Sequence, residues 1–113
     1  MDERFIKISG QKVRAVIRRK KVWLCARDVC KAIEFLDGKK KNTNACKAKD
    51  LIKIDMPTSK GKRPMVYMNS DGLHSMFVAS LNIMFDKKVK LCAMAKQLDK
   101  EVAAGKRRLW EWQ

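Results

Sequence analysis

The sequence predicts one α+β domain in which two antiparallel β-hairpin units pack with about four helices. Short apolar runs with an extended pattern are separated by turn residues, and longer stretches repeat apolar residues every three or four positions. The length of 113 residues is that of a single domain with one core. Since 46% of the residues are hydrophobic and 35% are charged, the charge is expected to cover a folded body.

A three-stranded meander is expected near the amino terminus. An apolar strand at 5–8 leads into the turn Ser9-Gly10, and apolar residues alternate again over 13–17. Four consecutive basic residues, Arg18 to Lys21, then interrupt the apolar pattern. They predict a second turn, because charged side chains stay solvated in turns. The apolar run at 22–25 would form the third strand.

A change of period predicts the first helix directly after this strand. Apolar residues recur at spacings of three and four over 26–36. Asp28 would lie in the first turn, where a negative charge suits the helix dipole, and Gly38 would end the helix. Three lysines follow this glycine.

A second hairpin is expected after a short helix at 43–52, which a threonine or an asparagine could cap. Alternation over 52–56 predicts a strand that Pro57 stops, residues 58–63 would form a basic loop, and 65–68 would return as a strand.

Two further helices are expected to complete the domain. Asn69 or Ser70 would cap the first of them, and Asp86 would open the second. The predicted apolar face of the first contains Leu73, Met76, Phe77 and Leu81. Residues 1–105 would then form the domain, and 106–113, with two tryptophans among basic residues, a docked tail or the start of a linker.

The charge of the chain predicts a polyanionic partner. The sequence has 27 lysines and arginines against 12 aspartates and glutamates, a net charge of +15. Residues 1–53 contain 16 basic and six acidic side chains, whereas 54–113 contain 11 and six. The amino-terminal half therefore dominates the electrostatic field.

Two local patterns resemble the Bro-N domain, which is found in baculovirus repeated-open-reading-frame proteins, in other large DNA viruses of insects and in bacteriophage antirepressors. The first pattern, an aromatic strand that runs into a helix, is formed by Trp23, Ala26, Asp28, Val29, Cys30, Ala32 and Ile33. The second, at a helix start, is formed by Tyr67, Asn69, Gly72, Leu73 and Phe77. With the spacing between them, the resemblance covers roughly residues 5 to 104.

The stretch after Ser80 departs from the family pattern, because it keeps a basic amphipathic helix without the proline and aromatic positions of the family. Members also commonly have a larger carboxy-terminal domain. The resemblance implies a DNA-binding domain of a viral regulatory protein that acts in transcription or replication, with weak sequence preference.

Binding to DNA requires cations that can reach successive phosphates from one surface. Arginines deserve more weight as base readers, because a planar guanidinium can grip a guanine edge with two bonds. The predicted nucleic-acid-binding residues are Arg14, Arg18, Arg19, Lys20, Lys21, Lys39, Lys40, Lys41, Lys60, Lys62, Arg63, Lys87 and Lys88.

Other chemistry finds little support in the residue pattern. Trp110 and Trp112 could stack on bases, form an oligomer contact or anchor the tail. His74 is the single histidine, and no phosphate-binding glycine loop occurs, so no catalytic site and no cofactor are expected. The four cysteines form no CxxC pair; free thiols in a reducing compartment are expected, and a Cys/His metal site is the alternative.

DNA, double- or single-stranded, is the expected partner. A protein-interaction module that docks on a repressor or host factor, as an antirepressor does, is the alternative function, and self-association as a dimer is compatible with both. No signal-peptide core and no membrane-spanning run are found, so an intracellular location, in the host nucleus or cytoplasm for a eukaryotic virus, is expected.

Overall fold

The computed structural model describes the backbone of residues 4–8, 10–103 and 109–112, and the side chains of 5–8 and 10–100. The α+β class is confirmed: three α-helices pack on one β-sheet. The strands are β1 Arg4–Ile8, β2 Gln11–Arg18, β3 Lys21–Cys25, β4 Leu51–Thr58, β5 Gly61–Met68 and β6 Leu109–Trp112, and the helices are α1 Ala26–Asp37, α2 Ser70–Ala79 and α3 Phe85–Ala103.

The two predicted hairpin units form a single sheet with the strand order β4-β5-β3-β2-β1-β6. They are joined by only two residue pairs, Leu24 with Met68 and Cys25 with Tyr67. All strand pairs are antiparallel except that of β6, which runs parallel to β1. The backbone of residues 109–112 in the carboxy-terminal tail therefore pairs with the first strand.

The β4–β5 hairpin is a ribbon that extends past the end of β3. Residues 61–66 of β5 pair with β4 alone, on the side of Cys25 where the chain leaves the sheet to begin α1. Met56, close to the turn of the ribbon, is nevertheless only 5% exposed. The apolar face of the ribbon therefore lies against the protein.

The prediction that Pro57 ends its strand is wrong. Pro57 pairs with Lys62, and β4 continues to Thr58. Because β4 is the edge strand, a residue without a backbone N–H can be accommodated there. The predicted loop at 58–63 is consequently a two-residue turn at Ser59 and Lys60.

The core has two parts, one on each face of the sheet. The larger part lies between the sheet and the three helices, and its strand residues include Val13, Ala15 and Leu24. The smaller part contains strand residues only, since Val16, Cys25, Tyr67, Ile54 and Met56 are buried together on the other face. Alternation along the strands thus sorts the apolar residues into two clusters.

Two of the predicted helical features differ in the structure. The short helix expected over 43–52 consists of two 3-10 turns, Thr43–Ala45 and Ala48–Asp50, and the Asn42 side chain accepts a hydrogen bond from the Asn44 N–H. Leu81, predicted on the buried face of α2, is 85% exposed, because the helix ends at Ala79.

Four aspartates satisfy polar groups where the sheet and the helices end. Asp99 of α3 accepts hydrogen bonds from the Val22 N–H at 2.9 Å and from Ser70 Oγ at 3.0 Å. It thereby joins the start of β3 to the start of α2. The other three such bonds are Arg14 N–H to Asp28 at 3.0 Å, Asn69 Nδ2 to Asp50 at 3.1 Å, and Asn82 N–H to Asp37 at 2.8 Å.

The Asp99→Ala substitution should lower the free energy of unfolding by about 1–3 kcal/mol, because the Val22 N–H loses its acceptor. Urea unfolding followed by circular dichroism measures this loss. The matched control is Asp55→Ala on the exposed part of β4, which should change stability by less than about 0.5 kcal/mol. Equal effects of the two substitutions would contradict the bridging role of Asp99.

Candidate nucleic-acid interface

The surface of the domain is far more positive than its composition alone indicates. Among the side chains described between residues 5 and 100, 18 of 23 lysines and arginines are exposed, but only three of eight aspartates and glutamates. The other five acids are buried or half-buried, and four of them are the aspartates that bond to strand and helix ends. Most acidic side chains are therefore buried or half-buried, whereas most basic side chains are exposed.

The face of β1, β2 and β3 opposite the helices carries a row of cations, which we call the cationic face. Their positions follow from the register, in which Lys7 pairs with Lys12 and Arg18 with Lys21, with Arg14 between them on β2. Lys12 Nζ lies 5.7 Å from the centre of the Phe5 ring, at cation–π distance. Alternation along three strands thus brings together side chains that are distant in sequence.

Arg19 and Lys20 form the tight turn between β2 and β3, and Arg18 and Lys21 pair beside them. All four side chains are exposed; we call Arg18 to Lys21 the basic turn. Both turn residues have positive φ, 52° for Arg19 and 62° for Lys20. Such a turn matches the twist of the strands but usually contains Asn and Gly, since other residues are strained there.

The end of α3 adds two lysines that the sequence did not indicate. Asp99 bonds to the Val22 N–H, so the last turns of α3 lie against the start of β3, beside the basic turn. Lys96 and Lys100 are exposed on these turns. Their spacing of four residues was a signal that they share one side of the helix, but the contact of α3 with β3 was not evident from the sequence.

Arg14 is held by Asp28 in a two-point ion pair. Its Nε donates to Asp28 Oδ2 at 2.7 Å and its Nη2 to Oδ1 at 3.1 Å. The bond to Asp28 raises the pKa of Arg14. Burial raises the pKa of Asp28, but the bonds from the Arg14 side chain and backbone outweigh it, so the pKa lies below its ordinary value. The guanidinium fork expected to read bases is therefore occupied, although 41% of the side chain is exposed.

The lysines after α1 divide into two groups. Lys39 and Lys40 are exposed beyond Gly38, which ends the helix with a left-handed conformation, as predicted. Lys41 instead forms an ion pair with the buried Asp37. The hydrogen bond from Lys41 holds the pKa of Asp37 below its ordinary value. Lys41 therefore has a structural partner in the chain.

Lys60, Lys62 and Arg63 are exposed at the tip of the β4–β5 ribbon, at the opposite end of the sheet from the basic turn. Cys25 pairs with Tyr67, and β3 and β5 extend from this pair in opposite directions, four residue steps to Lys21 and six to Gly61. At about 3.3 Å per residue, the two turns are separated by up to about 30 Å along the strands. The structure therefore does not bring these two predicted clusters together.

The remaining predicted residues lie elsewhere. Lys87 and Lys88 are half-buried in the first turns of α3, where positive charge opposes the helix dipole. Trp110 and Trp112 belong to β6, whose backbone pairs with β1, and their side chains lie outside the described part of the structure. The three roles predicted for the tryptophans, base stacking, an oligomer contact and anchoring of the tail, thus stay predictions.

The described part of the chain contains no group of three or more His, Cys, Asp or Glu residues that could hold a metal ion. The four cysteines are free, and burial raises the pKa of the Cys46 thiol to about 11. No helix in these segments is long and apolar enough to cross a membrane.

Comparisons of the chain with models of protein families, with curated proteins and with solved structures found no match.

The ion pairs of Asp28 and Asp37 should make the stability fall in acid. Both pKa values are lowered from 3.8 in the folded state, so the stability they contribute is complete above 3.8 and is lost as the pH falls through the folded pKa values. The difference in unfolding free energy between the wild type and Asp28→Asn/Asp37→Asn should therefore shrink as the pH is lowered, in urea titrations at successive pH values. A difference that stays constant with pH would contradict this assignment.

Replacing the strained turn by Arg19→Asn/Lys20→Gly should raise the free energy of unfolding by about 1–2 kcal/mol, because these residues tolerate positive φ. Thermal and urea unfolding measure the gain. Lys60→Gly is the matched control, since Lys60 also lies in a two-residue turn but is not among the residues with positive φ. This control should not gain stability; a loss of stability in the double variant would overturn the interpretation of strain.

Proposed function

We propose that this domain binds DNA, chiefly through the phosphate backbone, with the basic turn and the cationic face as its main contact. The observation that carries the proposal is the gathering of Arg18 to Lys21, Lys96 and Lys100 around one end of the sheet, with Lys12 at the far end of the cationic face. The nearby carboxylates, Asp28 and Asp99, are already bonded within the protein. They therefore offset little of the field that meets a polyanion.

The dimensions of this surface suit a nucleic acid backbone. Lys12 and Arg18 lie six residue steps apart on β2, or about 20 Å at 3.3 Å per residue, with Arg14 between them. Val16 on the same face is buried against the β4–β5 ribbon. Duplex DNA carries one negative charge per about 1.7 Å of its axis, so several phosphates lie within that length. Released counterions would supply most of the affinity, which makes binding weakly dependent on sequence.

The turn itself is narrow enough to approach a groove. A two-stranded ribbon fits the major groove of DNA, and Arg18 and Arg19 are at the end of the β2–β3 hairpin with exposed side chains. Arg14, in contrast, is positioned by Asp28 and would meet phosphates with the exposed part of its guanidinium. Base contacts, where they form, are therefore expected from the turn.

The strain in the turn supports the same function. Two long cationic residues occupy a conformation for which Asn and Gly are better suited. Strained backbone at an exposed position is more common at functional sites than elsewhere. The resemblance to the Bro-N domain points in the same direction, to a viral regulatory protein in the intracellular control of transcription or replication.

Salt dependence tests the electrostatic mechanism. With about six phosphate contacts, the logarithm of the association constant should fall with the logarithm of salt concentration at a slope near −5. Fluorescence anisotropy of a labelled short duplex, and of a single strand of equal length, measures this slope. Arg19→Asn/Lys20→Gly should reduce its magnitude by about 2 while keeping the turn folded. A slope close to zero, or no binding at low salt, would overturn the proposal.

Charge reversal tests the location. Changing Arg18, Arg19, Lys20 and Lys21 to Glu should abolish binding, whereas reversing Lys53, Lys60, Lys62 and Arg63 at the ribbon should weaken it less than about tenfold. Both variants change the net charge equally, and circular dichroism verifies their folding. Equal losses would show that the net charge and not the basic turn determines binding.

A further inference from the structure

A second surface of the molecule is apolar and lies where α2 meets α3. Leu81 is 85% exposed, Met84 78% and Phe85 77%, and Val78 and Val89 on the adjoining helices are about half exposed. Single exposed apolar residues are normal, but a group of five within 12 residues marks an interaction site. We call these five residues the apolar end.

The apolar end continues into a shallow groove along α3. The groove is lined by Lys88, Val89, Cys92, Ala93 and Lys96. Lys88, Cys92 and Lys96 follow one another at intervals of four residues, so the two lysines lie at the two ends of the strip. These two lysines are eight residues apart, which is about 12 Å along the helix axis. The opposite side of α3 buries Leu91, Ala95 and Leu98 in the core. The helix therefore has two apolar sides, one packed in the core and one facing outward.

The apolar end is separate from the proposed DNA contact, whereas Lys96 at the end of the groove borders both surfaces. Asp99 marks the end of α3 that lies at the basic turn, and Phe85 lies 14 residues before it. At 1.5 Å per residue, the two regions are about 20 Å apart along α3. Nucleic acid at the basic turn therefore neither explains nor covers the apolar end.

The charges around the groove select among possible occupants. Between residues 78 and 96 the chain contains four lysines and a single acid, Asp86. A second copy of the chain would place lysines against lysines, which opposes self-association through this surface. An exposed apolar strip with a cation at each end fits the apolar face of a helix that carries carboxylates beside that face.

We propose that the apolar end and the α3 groove bind an acidic amphipathic helix of a partner protein. The apolar face of that helix would lie on Phe85, Val89 and Ala93, and its carboxylates would meet Lys88 and Lys96. The domain then has two contacts of different chemistry, one for a polyanionic backbone and one for an apolar helix with acidic borders.

The test uses the whole chain and a synthetic helical peptide of 18 residues. Its leucines occupy positions i, i+3, i+4 and i+7, and glutamates stand on both sides of them. A scrambled peptide of the same composition, without an apolar face, controls for attraction by charge alone. Fluorescence anisotropy should show binding at least about tenfold tighter for the amphipathic peptide.

Variants locate the binding site. Phe85→Ser/Val89→Ser should weaken peptide binding about tenfold and leave DNA affinity unchanged, since both side chains are exposed and distant from the basic turn. Val66→Ser, a substitution of an exposed apolar residue on β5, is the matched control and should have no effect. The opposite pattern is expected of Arg19→Asn/Lys20→Gly, so the two proposals can fail independently.

Four outcomes would overturn the proposal. The scrambled peptide could bind equally, or the Phe85 and Val89 substitutions could leave peptide binding unchanged. Vesicles of phosphatidylserine and phosphatidylcholine could instead bind the chain in a manner that needs Phe85 and Val89, which would assign the surface to a membrane. Sedimentation could show a dimer that these substitutions dissociate, which would assign it to a second copy.

Discussion

The fold depends on carboxylates that complete hydrogen bonding where strands end. Strand β3 has only five residues, yet it joins the two hairpin units, and it pairs with β5 at just two positions. The Val22 N–H faces the side where β5 has already ended, and Asp99 of α3 accepts its hydrogen bond. Asp28 does the same for the Arg14 N–H, where β3 has left the sheet. Without these acceptors, buried donors would oppose the joining of the two units.

The same bonds explain why the exposed charges of this domain are mostly positive. Each aspartate that completes a strand or helix end is buried or half-buried, and Asp28 and Asp37 pair with the half-buried Arg14 and Lys41. These carboxylates therefore offset little of the charge of the exposed lysines and arginines. Three exposed acids then face 18 exposed cations among the described side chains. Like charges on such a surface repel one another and cost some stability, which binding of a polyanion relieves. The arrangement that stabilises the sheet therefore also produces the electrostatic surface.

Local patterns were sufficient to predict most elements, because period, turn residues and caps act over a few positions. The meander, the cap at Asn69 and the glycine end of α1 are of this kind. The bonds of Asp28 and Asp99 span 14 and 77 residues, so no local pattern reveals them. For the same reason Arg14 was predicted to contact DNA bases, although its guanidinium is bonded to Asp28. Leu81 fitted the apolar period of α2, but the helix ends at Ala79.

Helix α3 connects the two surfaces of the domain and also fixes the distance between them. Its far end is bound to β3 and to α2 through Asp99, while Leu91, Ala95 and Leu98 anchor its middle in the core. A helix held in this way acts as a rigid spacer, so occupation of the groove need not displace the basic turn. A partner helix at the apolar end would thereby be held about 20 Å from bound DNA. Because the two contacts differ in chemistry, salt would weaken the DNA contact strongly and the apolar contact only through its bordering lysines.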